Sequence, residues 1–274
     1  MSPISVPPSL SFLAPRGKLK LIRVGRSYDG GYVVPLEAIL STETLLSFGL
    51  SRDWSFEEDF LRIGGCRVVH GYDHTVSMQV FLLELVDCLL KLLVFQKGLR
   101  SLWTRVGVVL SYRRFFRSKK DLCHMHFRER IVGGEVSGDQ SACLGKVFAR
   151  VNTAGLVFMK MDIEGAEYFA LREIKPYVSR LAGLVVEFHE TSSRRTEFIT
   201  LLTDLLCDFS IVHFHANNCA DLGPDYFPLS VEITLINREH FHIEDSVVTT
   251  RLPLPELDMP NDPKKVEPDF IFSI

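Results

Sequence analysis

Apolar stretches of strand length alternate with stretches of helix formers along most of this chain, and that alternation restricts the fold more than any other feature. Thr44–Phe48, Arg67–Tyr72, Leu156–Met161, Gly183–Val186, Ser210–Phe214 and Val231–Ile236 read as strands, and Ile131-Val132 ends a further one at Gly133-Gly134. Between them, Phe56–Ile63, Ala142–Val151, Glu167–Leu181 and Thr196–Leu206 read as helices. Strand, helix, strand in succession makes the strands parallel and the helices crossovers, which cover both faces of the sheet. The expected class is α/β, a mostly parallel, doubly wound, Rossmann-like sheet of seven strands.

One domain, residues 1–274, is expected, with three appendages. A strand/hairpin segment covers about 15–40 and turns at Asp29-Gly30-Gly31; a basic helical insertion covers about 80–125; a peripheral arm rich in Pro and acids covers about 252–274. The net charge of −3 gives the whole molecule no attraction for polyanions. Between Lys91 and Arg130, however, eleven Lys or Arg face two acids. That stretch reads as a solvated helical insertion, or alternatively as a surface for phosphates, nucleic acid or an anionic membrane face. The apolar window Val80–Phe95 is interrupted by Glu84, Asp87 and Lys91, too short and too charged for a transmembrane segment. Six scattered cysteines without a CxxC pair argue against a zinc or disulfide framework. With no signal-peptide pattern at the start, a cytoplasmic location is the expectation.

Polar residues collect at the carboxyl ends of the strands, where open parallel sheets bind ligands. They are Gly49 to Asp53 (Ser51 included), Asp73, Glu135, Asp162 with Glu164, and Glu187 with His189. A dinucleotide fingerprint needs three glycines where Phe48-Gly49-Leu50-Ser51-Arg52-Asp53 has one, and no phosphate-binding GxxxxGK[ST] occurs. Asp73 is placed to accept both hydroxyls of a ribose. A ribose without a pyrophosphate cradle points to S-adenosyl-L-methionine rather than NAD.

Lys160-Met161-Asp162-Ile163-Glu164-Gly165-Ala166-Glu167 is similar to the K-x-D-I-E-G-x-E motif of the FkbM-like, METTL-type S-adenosylmethionine-dependent methyltransferases. Val24-Gly25-Arg26, Asp29-Gly30-Gly31-Tyr32, Ser47-Phe48-Gly49, Ser55-Phe56-Glu57, Tyr72-Asp73-His74-Thr75 and Pro260-Asn261-Asp262-Pro263-Lys264-Lys265 resemble that family in the same order. The resemblance implies a class I methyltransferase fold, adenosylmethionine as donor, and O-methylation of a hydroxyl on a sugar, a glycan or another small polar acceptor. By the same resemblance Gly49 would let the backbone approach the methionine part, with Ser51 and Asp53 in its loop. Asp73 would hold the ribose, His74 and Glu135 would lie near the adenine, and Asp162 would border the cofactor. Arg26 and Asp29 would close over the site. Leu50-Ser51-Arg52 departs from the commoner form of the first motif, which leaves the carboxylate contacts open.

Methyl transfer from an activated sulfonium needs an aligned acceptor and a base for its proton. His189 and His215 are the candidate bases, the latter sharing one face of its strand with His213. Asp162 and Glu164 lie on the acceptor side. Asp162, Glu187 and His189, with Glu164 or Asn217 as substitutes, form an oxygen-rich set with one imidazole, suited to Mg²⁺ or Mn²⁺. The competing reading has Glu164 and Glu167 only holding the loop and capping the next helix. Two alternatives stand beside the main function: a nucleic-acid or acidic-glycan acceptor bound through the basic insertion, and a non-catalytic cofactor-binding or scaffold protein.

Overall fold

The computed structural model describes residues 3–93, 98–116, 123–134, 138, 140–248 and 250–272. Among these, seven strands form the main sheet: β1 (Thr42–Phe48), β2 (Val68–Tyr72), β3 (His124–Phe127), β4 (Leu156–Met161), β5 (Leu181–Phe188), β6 (Phe209–Ala216) and β7 (Val231–Asn237). Their order is β3-β2-β1-β4-β5-β7-β6. All pairs are parallel except those of β7, which runs antiparallel to both β5 and β6. The helices are α1 (Leu36–Ser41), α2 (Ser55–Ile63), α3 (Met78–Leu93), α4 (Leu99–Phe116), α5 (Leu144–Ala149), α6 (Glu167–Leu171) and α7 (Arg195–Leu205).

Period-two alternation sends successive side chains of each strand to opposite faces. Leu46, Phe48, Met159, Met161, Val186 and Phe188 enter one core with residues of α5, α6 and α7. Leu45, Phe158 and Val185 enter the other, with residues of α1, α2 and α4. Burial on both faces explains why these strands read as near-continuous apolar runs. The order reverses between β1 and β4, so the crevice between their carboxyl ends is the switch point.

Four expectations need correction. The third sheet strand is His124–Phe127; Arg130–Ile131 instead pairs with Ser141–Ala142 outside the main sheet. His124 stacks on Phe115 and His126 bonds Tyr112, so aromatic packing against α4 holds a segment that lacks a β-branched run. The helix expected over Glu167–Leu181 stops at Leu171, and a 3₁₀ turn covers Lys175–Arg180. Pro176, which has no N–H and disfavours the α conformation before it, explains the break. The helix expected over Ala142–Val151 is confined to Leu144–Ala149, because Ser141 and Ala142 join a strand pair. The carboxyl-terminal arm is not peripheral: Leu252, Phe270 and Phe272 lie in the first core.

Leu21–Val24 pairs with Tyr32–Pro35 as a hairpin, and α3 packs on α4. Thr234 on β7 donates to the carbonyl of Val33, laying the hairpin on the sheet face that carries the second core.

Candidate functional site

A cavity of about 550 Å³ opens at the switch point, a size ordinary for small-molecule sites. Gly49, Ser51, Asp53, Asp73, His74 and Asp162 line it, as do Arg26, Asp29 and Glu164. Glu135 lies outside the described residues.

Gly49 ends β1 in left-handed backbone (φ 82°), and a Cβ there would sit 1.7 Å from the carbonyl oxygen of Asp162. The chain after β1 thus passes against the chain after β4 at a distance only glycine permits. Lys160 donates to the carbonyl of Gly49, and the Asp162 amide donates to Phe48.

Asp73 binds both neighbouring loops. One oxygen accepts from the amides of Leu50 (3.0 Å) and Ser51 (2.8 Å), the other from the amide (2.7 Å) and hydroxyl (2.6 Å) of Thr75. Burial would push this carboxyl up, but the hydrogen bonds outweigh it and hold it below the usual range. A carboxylate offers about four lone-pair positions, so a ribose diol would have to share or replace the Thr75 hydroxyl.

Arg26 pairs with Asp53 (3.0 Å) and Asp29 (3.8 Å), all three at the cavity wall. These ion pairs are half-exposed and contribute little to stability. Their effect is on shape, since they hold the hairpin turn beside the loop after β1.

At the β4 and β5 ends, His189 is surrounded by carboxylates. Its Nδ1 donates to the fully buried Glu167 at 2.9 Å. Its Nε2 faces Glu187 at 3.5 Å, Glu164 at 3.6 Å and Asp162 at 3.9 Å. Burial would lower the His189 pKa, but the Glu167 hydrogen bond and the nearby carboxylates raise it to about 9. Glu187 moves up to about 8, because burial disfavours its charge and Asp162 and Glu232 repel it. Asp162, Glu164 and His189 each turn one ligand atom to within 4.8 Å of the others. Glu187 is more constrained: one of its oxygens accepts from Asn217 (2.6 Å) and Ser230 (2.9 Å). Glu164 sits in left-handed backbone (φ 55°), a strained placement for a residue with a side chain.

His215 does not line this cavity. Glu187, Glu232 and His215 are directly paired across β5, β7 and β6, so β7 separates the histidine from the cluster. Its Nδ1 donates to Glu232 (3.2 Å) and its Nε2 to Glu267 of the arm (2.7 Å). Only an imidazolium donates from both nitrogens. His213 likewise faces the arm, at 3.0 Å from Asp258. Burial would lower the His215 pKa, yet Glu232 and Glu267 raise it to about 10. This stabilisation is therefore full below the unfolded-state value of about 6.5 and lost as pH climbs through 10. His215→Gln is expected to cost about 3–5 kcal/mol near neutral pH by leaving buried carboxylates without their cation. Denaturation midpoints of the two proteins should converge above pH 10.

Three residues without an assigned role in the sequence reading complete the site. Tyr32, buried on the hairpin, donates to Asp162 at 3.1 Å; burial and Asp162 raise its pKa well above the ordinary phenol value. Lys160 stands 3.8 Å from the same carboxylate. Glu57 on α2 accepts from Ser47, and burial pushes its carboxyl up against the attraction of Lys160. All three fall inside the family-like segments; what the sequence lacked was their convergence.

The main sheet is mostly parallel and Rossmann-like, with the antiparallel β7 between β5 and β6. No protein-family model matches the chain, and no curated protein matches it in sequence. Its structure is similar to that of precorrin-6y C5,15-methyltransferase from Geobacter metallireducens: 9% identity, 74% of this chain and 85% of that one covered, TM-score 0.37. It is also similar to a dimethyladenosine transferase from Plasmodium falciparum: 10% identity, 75% of this chain and 61% of that one covered, TM-score 0.36.

Proposed function

We propose that this protein is an S-adenosylmethionine-dependent O-methyltransferase of FkbM-like type, acting on a hydroxyl of a sugar or other small polar molecule. The observation that carries the reading is the cavity itself. Its wall brings Gly49, Asp73 and Asp162 together at the switch point, with the His189 cluster next to Asp162 and Glu164.

Bound adenosylmethionine supplies an activated methyl group. The chain's own residues do the rest. The loop Gly49–Asp53, held by Asp73 and Lys160, presents backbone to the donor side. Asp162, fixed by Tyr32, lies between that loop and His189. A hydroxyl held near His189 Nε2 would pass its proton to the imidazole once that nitrogen is free, which its raised pKa delays to alkaline pH.

The same residues fit a divalent ion. Glu167 fixes the ring through Nδ1 and leaves Nε2 among carboxylates, the arrangement that orients a histidine ligand. One oxygen of Glu167, fully buried, has no hydrogen-bond partner among the described residues. Asp162, Glu164 and His189 would hold Mg²⁺ or Mn²⁺, with Glu187 beside them. The ion would bind a hydroxyl acceptor and lower its pKa.

Calorimetric titration with adenosylmethionine and adenosylhomocysteine tests the cofactor. Micromolar binding is expected, and Asp73→Ala, which frees two loop amides, should weaken it at least about tenfold. A folded wild-type protein that binds neither compound overturns the reading.

A further inference from the structure

Between Phe81 and Leu92, every exposed position of α3 carries an aliphatic side chain: Leu82, Leu83, Val86, Leu89 and Leu90, each 42–70% exposed. The spacing i, i+1, i+4, i+7, i+8 places them on one arc, away from the buried Phe81 and Cys88. A water-facing helix ordinarily has the opposite pattern, and a contiguous apolar arc marks an interaction surface. The charged residues of α3 do not relieve it. Glu84 pairs with Arg52 and Arg105, and Asp87 with Lys91.

The neighbouring helix supplies the complementary chemistry. α4 has four arginines and no acid. Its exposed positions mix Leu99, Trp103 (71% exposed) and Leu110 with Arg100, Arg113 and Arg114. Arg114 pairs with Glu58 and Arg105 with Glu84, so the basic contribution falls to Arg100 and Arg113. With aliphatic chains and an exposed indole they suit a boundary between acyl chains and phosphates. No helix among the described residues is long and apolar enough to cross a membrane, so the hairpin would lie in the surface.

We propose that the α3–α4 hairpin docks this protein on an anionic lipid bilayer. The α3 arc enters the acyl-chain boundary, and Arg100 and Arg113 of α4 meet lipid phosphates. The net charge of −3 opposes attraction of the whole molecule, so orientation comes from this local basic face. Arg52 both lines the cavity and pairs with Glu84 on α3, which sets the docked hairpin beside the cavity rim.

Co-sedimentation of the full chain with vesicles decides it. Vesicles of phosphatidylcholine doped with phosphatidylglycerol are expected to carry the protein down, phosphatidylcholine alone much less, and added salt should release it. Arg100→Ala and Arg113→Ala should each weaken partitioning about fivefold. Leu83→Glu with Leu90→Glu should abolish it, while circular dichroism melting shows the variant folded, since both positions are exposed. Lack of binding by the folded wild-type protein to the doped vesicles overturns the proposal. So does binding that survives the double glutamate variant. A dimer in light scattering that the same variant dissolves, without vesicle binding, overturns it in favour of a second copy of the chain.

Discussion

Gly49→Ala is expected to abolish adenosylmethionine binding and to destabilise the protein more than any other single methyl addition at a glycine of the site. The new Cβ would lie 1.7 Å from the Asp162 carbonyl oxygen and 2.9 Å from its carbon. Both are backbone atoms, so no side-chain rotation relieves the clash. The left-handed φ of 82° adds about 1–3 kcal/mol of strain. Gly134→Ala is the matched control: its φ is 81°, and a Cβ there meets nothing within 4 Å among the described residues. Urea denaturation should place the Gly134 variant within about 1–3 kcal/mol of wild type. The Gly49 variant should fall further, with calorimetric binding lost even where it is folded. Equal losses in the two variants would show that the contact with the β4 loop gives way easily and does not shape the cavity.

The second large effect concerns His189. Mn²⁺ binding, followed by calorimetry or by the paramagnetic resonance of the free ion, is expected to tighten as pH rises towards 9. The ion and the proton compete for the same imidazole nitrogen, and the surrounding carboxylates hold that proton up to about 9. His189→Ala removes the nitrogen and should eliminate specific binding. Glu167→Gln keeps the ring but weakens its orientation and basicity, and should cost about 10–100-fold in affinity. Adenosylmethionine binding in both variants should stay close to wild type, because neither residue lines the cavity. Wild-type affinity that does not change with pH, or that survives in His189→Ala, would assign the cluster to loop-holding alone. In that case His189 remains a base candidate by itself, and turnover of an accepted hydroxyl should rise with pH in the absence of metal.

Much of the site is visible along the chain because its residues sit at strand ends. The apolar runs of β1, β2, β4 and β5 are buried on both faces, which favours their carboxyl ends and the residues just beyond for polar groups. Hence Gly49, Asp73, Asp162, Glu187 and His189 could be named by position. Less visible were residues that reach the site from elsewhere. Tyr32 comes from a hairpin and Glu57 from a helix, and both are recognisable only by what they touch, Asp162 and Ser47. Lys160 has the spacing of an ordinary core position in β4; its amine is buried, and its role follows from the Gly49 carbonyl opposite.

The packing of the arm and the position of the third strand are invisible along the chain for related reasons. The Pro-rich tail lacks the periodicity of any regular element, yet it delivers Asp258, Asn261 and Glu267 to partners at the far edge of the sheet. His124–Phe127 has no β-branched residue, and ring contacts with α4 fix it instead.

The sequence by itself determined the α/β class, the parallel core strands and the edge at which polar residues gather, because hydrophobic period and strand-end chemistry are local properties of the chain. Only the tertiary structure decided which strand ends are neighbours. His189 lies just beyond β5 and His215 near the carboxyl end of β6, and the two are equivalent on paper as bases. The antiparallel β7 enters between β5 and β6, and each strand interval is about 4.8 Å. His189 therefore stands beside Asp162, while His215 is carried two strands away and held between Glu232 and Glu267. Pairing order is set by long-range packing, and no spacing along the chain encodes it.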